Sequence, residues 1–426
     1  MTVLIIAVFV IGYLAITLEH SLHINKAATA LITGVLCWTL YIANAADAHT
    51  INEQLVGHLG GIAEILFFLL GAMTIVELID THDGFEVITS RIQTTSKVKL
   101  MWLLCIITFF LSAILDNLTT AIVMVSLVRK IVKEKELRLM YSGLIVIAAN
   151  SGGAWSPIGD VTTTMLWIGG QVSTIQIMKH VLLPSIVSMV VPLLIAGFRM
   201  KGSLELATPD TFPDKPQTTV SDRNVVFFTG LGILLCVPAF KTITHLPPYM
   251  GMLLGLGIIW VVTELIHKRK DEAAKSFYSV MNAIRKVDTP SILFFLGILI
   301  SVAALESLGV LHHAAEALDQ HLGNKTLIVS VIGLLSAVVD NVPLVAASMG
   351  MYSLEHFPAD DAFWHFMAFC SGTGGSILII GSAAGVAAMG IEKIEFFWYL
   401  KRIALLAFLG YIAGIGMFLL QQALGM

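Results

Sequence analysis

Charge is what this sequence has least of: Asp, Glu, Lys and Arg make up 13% of its 426 residues, about half the share of an ordinary soluble domain. With 57% hydrophobic residues beside that shortage, the chain cannot cover its own surface in water, which excludes a typical soluble fold. Cysteine is scarce as well. Cys37, Cys105, Cys236 and Cys370 all lie inside apolar stretches without paired spacing, so neither a disulfide framework nor a cysteine metal site is expected. There is no basic module for nucleic acid, no HExxH pair, no GxxxxGK[ST] phosphate loop and no convincing nucleophile-and-base constellation. The chain is therefore read as neither an enzyme nor an ATP-driven machine, and it needs no cofactor.

What is present is apolar length. Stretches near the ~20 residues needed to cross a ~30 Å hydrocarbon layer recur throughout. Ten read as full crossings: 2–18, 27–45, 59–80, 141–168, 177–198, 224–240, 249–267, 290–308, 362–389 and 403–421. The first lacks a basic start and a small-residue cleavage site, and is expected to be a retained helix. Residues 98–132 and 325–354 differ. Each is an apolar helix, a polar break and a second apolar helix, with Asp116-Asn117 and Asp340-Asn341 at the breaks. They are expected to be re-entrant hairpins, which lipid tolerates only where protein or a wet cavity satisfies the turn. With both hairpins returning to the face they entered from, 22 of the 25 lysines and arginines fall on one side, leaving Lys179, Lys241 and Lys325 on the other. The rich face reads as cytoplasm. Both termini then lie outside a cell membrane of bacterial inner-membrane type.

The two halves echo each other. FFLLGAM at 67–73 returns as LFFLGIL at 293–299, LSAILDNLTTAIVM at 111–124 as LSAVVDNVPLVAAS at 335–348, and ANSGGAWSPIGD at 149–160 as CSGTGGSILIIGS at 370–382. Asp116 and Asp340 lie 224 positions apart and Gly152 and Gly374 lie 222 apart, a near-constant offset that marks a duplication. An odd number of crossings per half turns the second half over. The expected fold is an all-α polytopic membrane protein of two inverted-topology repeats, 1–198 and 223–426. Each has five transmembrane helices, one of them broken (141–168, 362–389), and one re-entrant hairpin. Residues 199–222, with Pro209, Pro213 and Pro216, read as a cytoplasmic linker. Amphipathic stretches near 82–97, 271–287 and 310–322 are expected along the membrane surfaces.

Inverted repeats with broken helices are the architecture of many secondary transporters, with the site near the midplane between repeats. Acids deep in apolar sequence are costly and mark such sites. Asp116, Asp160 and Asp340 fit, and no lysine or arginine lies close to them in sequence. Burial disfavours an ionised carboxyl group, which lets such a group trade protons near neutral pH. The neighbours are oxygen donors suited to a hard cation: Asn117, Thr119, Thr120, Asn150, Ser151, Ser156, Thr162 and Thr163 in the first half, and Ser336, Asn341, Ser371, Thr373, Ser376 and Ser382 in the second. Gly152-Gly153 and Gly374-Gly375 sit mid-helix, where each glycine costs roughly 1 kcal/mol relative to alanine. The helices are expected to unwind there, with Pro157 opposing closure of the first gap. The same residues also suit plainer roles: Asp116 and Asp340 as helix N-caps, the glycines as close-packing contacts.

LDNLTT, SGGAWSPIGD, VVDNVPL and FFLLGAMTIVELID together resemble the NhaD-type sodium/proton antiporters of the ion transporter superfamily, over nearly the whole chain. The resemblance implies exchange of Na+, or Li+, for H+, with sodium at Asp116, Asn117, Asp340 and Asn341, and a homodimer in a lipid bilayer. Dicarboxylate-carrying relatives are recognised by Ser-Asn-Thr at both hairpin tips, where this chain has Asp116-Asn117-Leu118 and Asp340-Asn341-Val342. An anion or metalloid carrier such as a carboxylate or arsenite transporter is the competing reading. It would need arginine or neutral donors at the centre, and no arginine lies there.

Overall fold

Short polar side chains start the helices. In the computed structural model, which describes residues 2–17, 19–43, 47–89, 94–200, 202–204 and 218–425, Asn25, Asp47, Ser96 and Thr219 each accept a backbone N–H from the first turn of the helix that follows. Among these residues the regular structure is entirely helical apart from one isolated bridge between Ser96 and Ser203. The first half supplies α1 (Thr2–Thr17), α2 (Lys26–Ile42), α3 (Ala48–Thr81), α4 (Lys97–Leu115), α5 (Asn117–Ile131), α6 (Lys135–Ala154), α7 (Val161–Ile168) and α8 (Thr174–Arg199). The second supplies α9 (Val220–Thr244), α10 (Pro248–His267), α11 (Thr289–Ser307), α12 (Val310–Leu322), α13 (Lys325–Leu335), α14 (Asn341–Met351), α15 (Ala362–Gly374), α16 (Ala383–Glu392) and α17 (Ala404–Ala423).

Seven described helices are long and apolar enough to cross a membrane: α3, α4, α8, α9, α10, α11 and α17. The ten expected crossings differ from this set for local reasons. Helices α1 and α2 are 16 and 17 residues long, and the 141–168 and 362–389 spans are each two shorter helices around a break. Helix α3 starts at Ala48 rather than near residue 59, because Asp47 caps it and the polar turns before the apolar run stay helical. Its 34 residues reach about 51 Å. Helix α4, expected as half of a hairpin, is itself long enough to span. Of the amphipathic stretches, 310–322 is helix α12, while 271–287 forms two short helices, Glu272–Phe277 and Val280–Lys286. Pro209, Pro213 and Pro216 lie outside the described residues, as does part of the 82–97 stretch.

Packing sorts the helices into two groups. Helices α1, α2, α3 and α11 pack together, with α9 and α10 against α3 and each other. The α4–α5 pair, α6, α7, α13, α15 and α16 form the second group, flanked by α8 and α17, while α14 joins the two by packing on α11 as well as on α7 and α15. Here the halves exchange partners: α16 lies on α5, α7 lies on α14, and α15 on α6. Both helix breaks are therefore brought to the ends of the two helix pairs.

The unwinding expected at Gly152-Gly153 and Gly374-Gly375 falls a few residues later. Helix α6 runs through both glycines to Ala154, and α15 runs to Gly374, with Gly375 as its right-handed cap. The irregular stretches are 155–160, containing Pro157, and 376–382. The glycines serve approach instead. A Cβ at Gly152 would collide with the Phe109 carbonyl, and one at Gly374 with the Gly333 carbonyl. Each broken helix thus lies backbone-to-backbone against the first arm of its neighbouring pair.

Candidate functional site

Asp116 is both the last cap of α4 and the first cap of α5, at φ 85° and ψ 157°. Residues other than glycine seldom adopt that conformation, at a cost of about 1–3 kcal/mol. Thr119 holds it there. Its N–H and its hydroxyl donate to the two carboxylate oxygens, each at 2.8 Å. The turn aims Asn117 inward, where its amide donates to Asn150 Oδ1 at 3.1 Å and to Asp160 Oδ2 at 2.8 Å.

Asp160 caps α7 from the extended end of the first break and accepts from the N–H and hydroxyl of Thr162, both at 3.0 Å. It is 2% exposed. Asn150, fully buried, donates onward to Ser376 Oγ at 2.9 Å and Ser382 Oγ at 2.8 Å. One chain of hydrogen bonds therefore runs from the first tip, through the first broken element, to the second. Ser382 caps α16 as Asp160 caps α7. Tyr399, buried beneath, anchors the second break by donating to the Ser376 carbonyl at 2.7 Å.

The second tip arrives from the other side. Asp340 caps α14 through the Val342 N–H at 3.3 Å, and Asn341 is 4% exposed with its amide nitrogen unpaired. Asn341 lies beside Asp160, and Asp160 is within electrostatic reach of both Asp116 and Asp340. Thr120 Oγ1 is also buried without a partner. Asp116, Asn117, Asn150, Asp160, Asp340 and Asn341 thus share one region.

Other expected residues point elsewhere. Ser371 and Thr373 donate to Met367 and Phe369 carbonyls one turn back in α15. Ser151 faces Ser188 of α8, and Thr163 meets the Ala154 carbonyl. Among the described residues no group of three or more His, Cys, Asp or Glu forms a metal cluster. The donors gathered here are carboxylates, carboxamides and hydroxyls, a hard oxygen set. The residue missed in the sequence is Lys26. Its ammonium lies 3.0 Å from Asp340 Oδ2, across 314 positions of chain.

A family model described as CitMHS, citrate transporter, matches residues 4–365. Sodium/proton antiporter 1 of Arabidopsis thaliana is 49% identical over 96% of this chain and 71% of its own length. The Na(+)/H(+) antiporter NhaD of Alkalimonas amylolytica is 31% identical over 98% of this chain and 90% of its own. The chain belongs to the NhaD-type sodium/proton antiporter family of the ion transporter superfamily. Members of this antiporter family are multi-pass membrane transporters, not enzymes. The fold agrees: the crystal structure of the Alcanivorax borkumensis YdaH transporter superposes with a TM-score of 0.57, at 12% identity, over 90% of both chains.

Proposed function

We propose that this antiporter exchanges Na+, or Li+, for H+, with cation and protons competing for Asp116, Asp160 and Asp340 where two inverted repeats meet. The observation that carries the reading is Asn117, whose single amide joins Asp160 at 2.8 Å to Asn150 at 3.1 Å, and through Asn150 to the serines of the second half. Neutralising one carboxylate changes the hydrogen bonding of the whole junction, so occupancy by Na+ or H+ is felt by both halves. The relatives' names point the same way.

In this reading residues 1–198 and 223–426 are the repeats, and 98–132 and 325–354 are re-entrant hairpins opened to the cytoplasm and the outside respectively. The element order of the two halves and the 22-to-3 division of basic residues support it. Both termini are then outside, and helices α4–α7 and α13–α16 carry the site while α1–α3 and α9–α11 stay fixed, in a homodimer.

The family model's description favours citrate as the alternative. Electrostatics oppose it. Two like charges 4 Å apart repel by about 4 kcal/mol at an effective dielectric near 20, and Lys26 already neutralises Asp340. Everted vesicles carrying a proton gradient decide between them. Added sodium should collapse the gradient with the wild-type protein and fail to do so with Asp160→Asn or Asp340→Asn. Labelled citrate uptake without a sodium response would establish the alternative.

A further inference from the structure

Lys26 and Asp340 stand at the starts of two different helices, α2 and α14, that both pack on α11. Lys26 opens α2, which packs on α1 and α11, whereas Asp340 is the cap of α14 at the second tip. Their side chains are 23% and 15% exposed. The ammonium also rests 4.4 Å from the centroid of the Phe294 ring on α11, and Phe294 is fully buried. Glu19 and Asp288 are the other charges acting on Lys26. Glu19 Oε1 accepts the Lys26 backbone N–H at 3.1 Å. The lysine is thus fixed on α2 and α11 and reaches the tip from which α14 starts.

Among the described residues the first tip has no lysine or arginine paired with it. Both oxygens of Asp116 are taken by Thr119 of the same turn. At the second tip an ammonium, with the charge of a sodium ion, holds the oxygen that a cation would bind. We infer that Lys26 is a built-in substitute for cargo, latching the second tip to α2 and α11 whenever Asp340 carries neither sodium nor a proton, and so stopping the empty carrier from crossing.

The inference rests on the proposed sodium/proton exchange and deepens it. An exchanger stays coupled only while its ion-free form cannot change sides. Moving the α14 tip away from Lys26 would strand a carboxylate and an ammonium in a poorly solvated place, which slows the crossing by roughly a hundredfold or more. Sodium or a proton on Asp340 removes the charge that holds the latch. The loaded carrier is released.

Purified protein in liposomes tests this through the ratio of 22Na+ efflux into sodium-containing medium to efflux into sodium-free medium, at pH 9 with the potential clamped. The wild type should give a ratio of about ten or more, since only reloaded carriers return. Lys26→Gln should retain sodium-for-sodium exchange while the ratio falls towards one, and Lys26→Arg should keep the wild-type ratio. Retained exchange in Lys26→Gln with an undiminished ratio would overturn the latch. Should Lys26→Gln not fold, Lys26→Cys in a Cys236→Ser background gives a second route. Aminoethyl methanethiosulfonate, which restores the positive charge, should raise the ratio, and methyl methanethiosulfonate should not; equal effects also overturn it. A wild type without any sodium-stimulated sodium flux would remove the sodium reading itself, and the latch with it.

Discussion

Asn150→Ala removes three hydrogen bonds at once from a fully buried side chain: those to Asn117, Ser376 and Ser382. Side-chain hydrogen bonds between membrane helices average about 0.6 kcal/mol each, and those in soluble proteins about 1. The loss is therefore about 2–3 kcal/mol. If the network orders the two breaks around a cation, that energy appears in binding, and apparent sodium affinity falls by a factor of roughly 30 to 150. Sodium titration of the proton-gradient collapse in everted vesicles gives the affinity, and size-exclusion chromatography checks the fold. A folded variant whose affinity stays within about twofold of wild type would refute the view that the breaks of the two halves work as one site.

Gly374→Ala forces a methyl group into the Gly333 carbonyl. It should destabilise the protein by about 1–3 kcal/mol or more, whereas Gly390→Ala, which meets no atom within 4 Å, should move the thermal unfolding temperature little. At the end of α3, His82 Nδ1 donates to the Leu78 carbonyl at 2.7 Å, and its Nε2 lies 2.8 Å from His267 Nε2, so it accepts there. Burial pushes His82 down to about 4, with the nearby His267 and Lys270 adding to the effect against the Leu78 bond. The unfolded chain takes the proton first, so this contribution to stability is complete above about pH 6.5 and is lost as pH falls towards 4, by at most about 3 kcal/mol. Thermal unfolding in detergent should show that decline for the wild type and a flatter profile for His82→Phe; identical profiles would contradict it.

Much of this was legible in one chain because membrane burial makes polar residues conspicuous. Asp116, Asn117, Asp160, Asp340 and Asn341 stood out against apolar sequence, and the structure gathers them in one region. The duplication pointed to Asn150 and the serines near 376–382 by the same route. The position of the breaks was not legible. Mid-helix glycine reads equally as a hinge or as a close contact, and only the nearness of the Phe109 and Gly333 carbonyls tells the two apart. Ser371 and Thr373 satisfied the composition of a site but bond back into their own helix, which periodicity alone does not reveal. Lys26 was hidden for the opposite reason. A lysine at a helix start looks solvated, and its partner lies 314 positions away.

The account stands on rivalry between Na+ and H+ for the same carboxylates, and calorimetry of sodium binding to the purified protein measures that rivalry directly. Titrations in two buffers of different ionisation enthalpy count the protons released. The account predicts release on binding, with apparent affinity rising about tenfold per pH unit for each proton displaced over the range where the site is protonated. Sodium binding that releases no protons and keeps one affinity from pH 6 to pH 9 would contradict it.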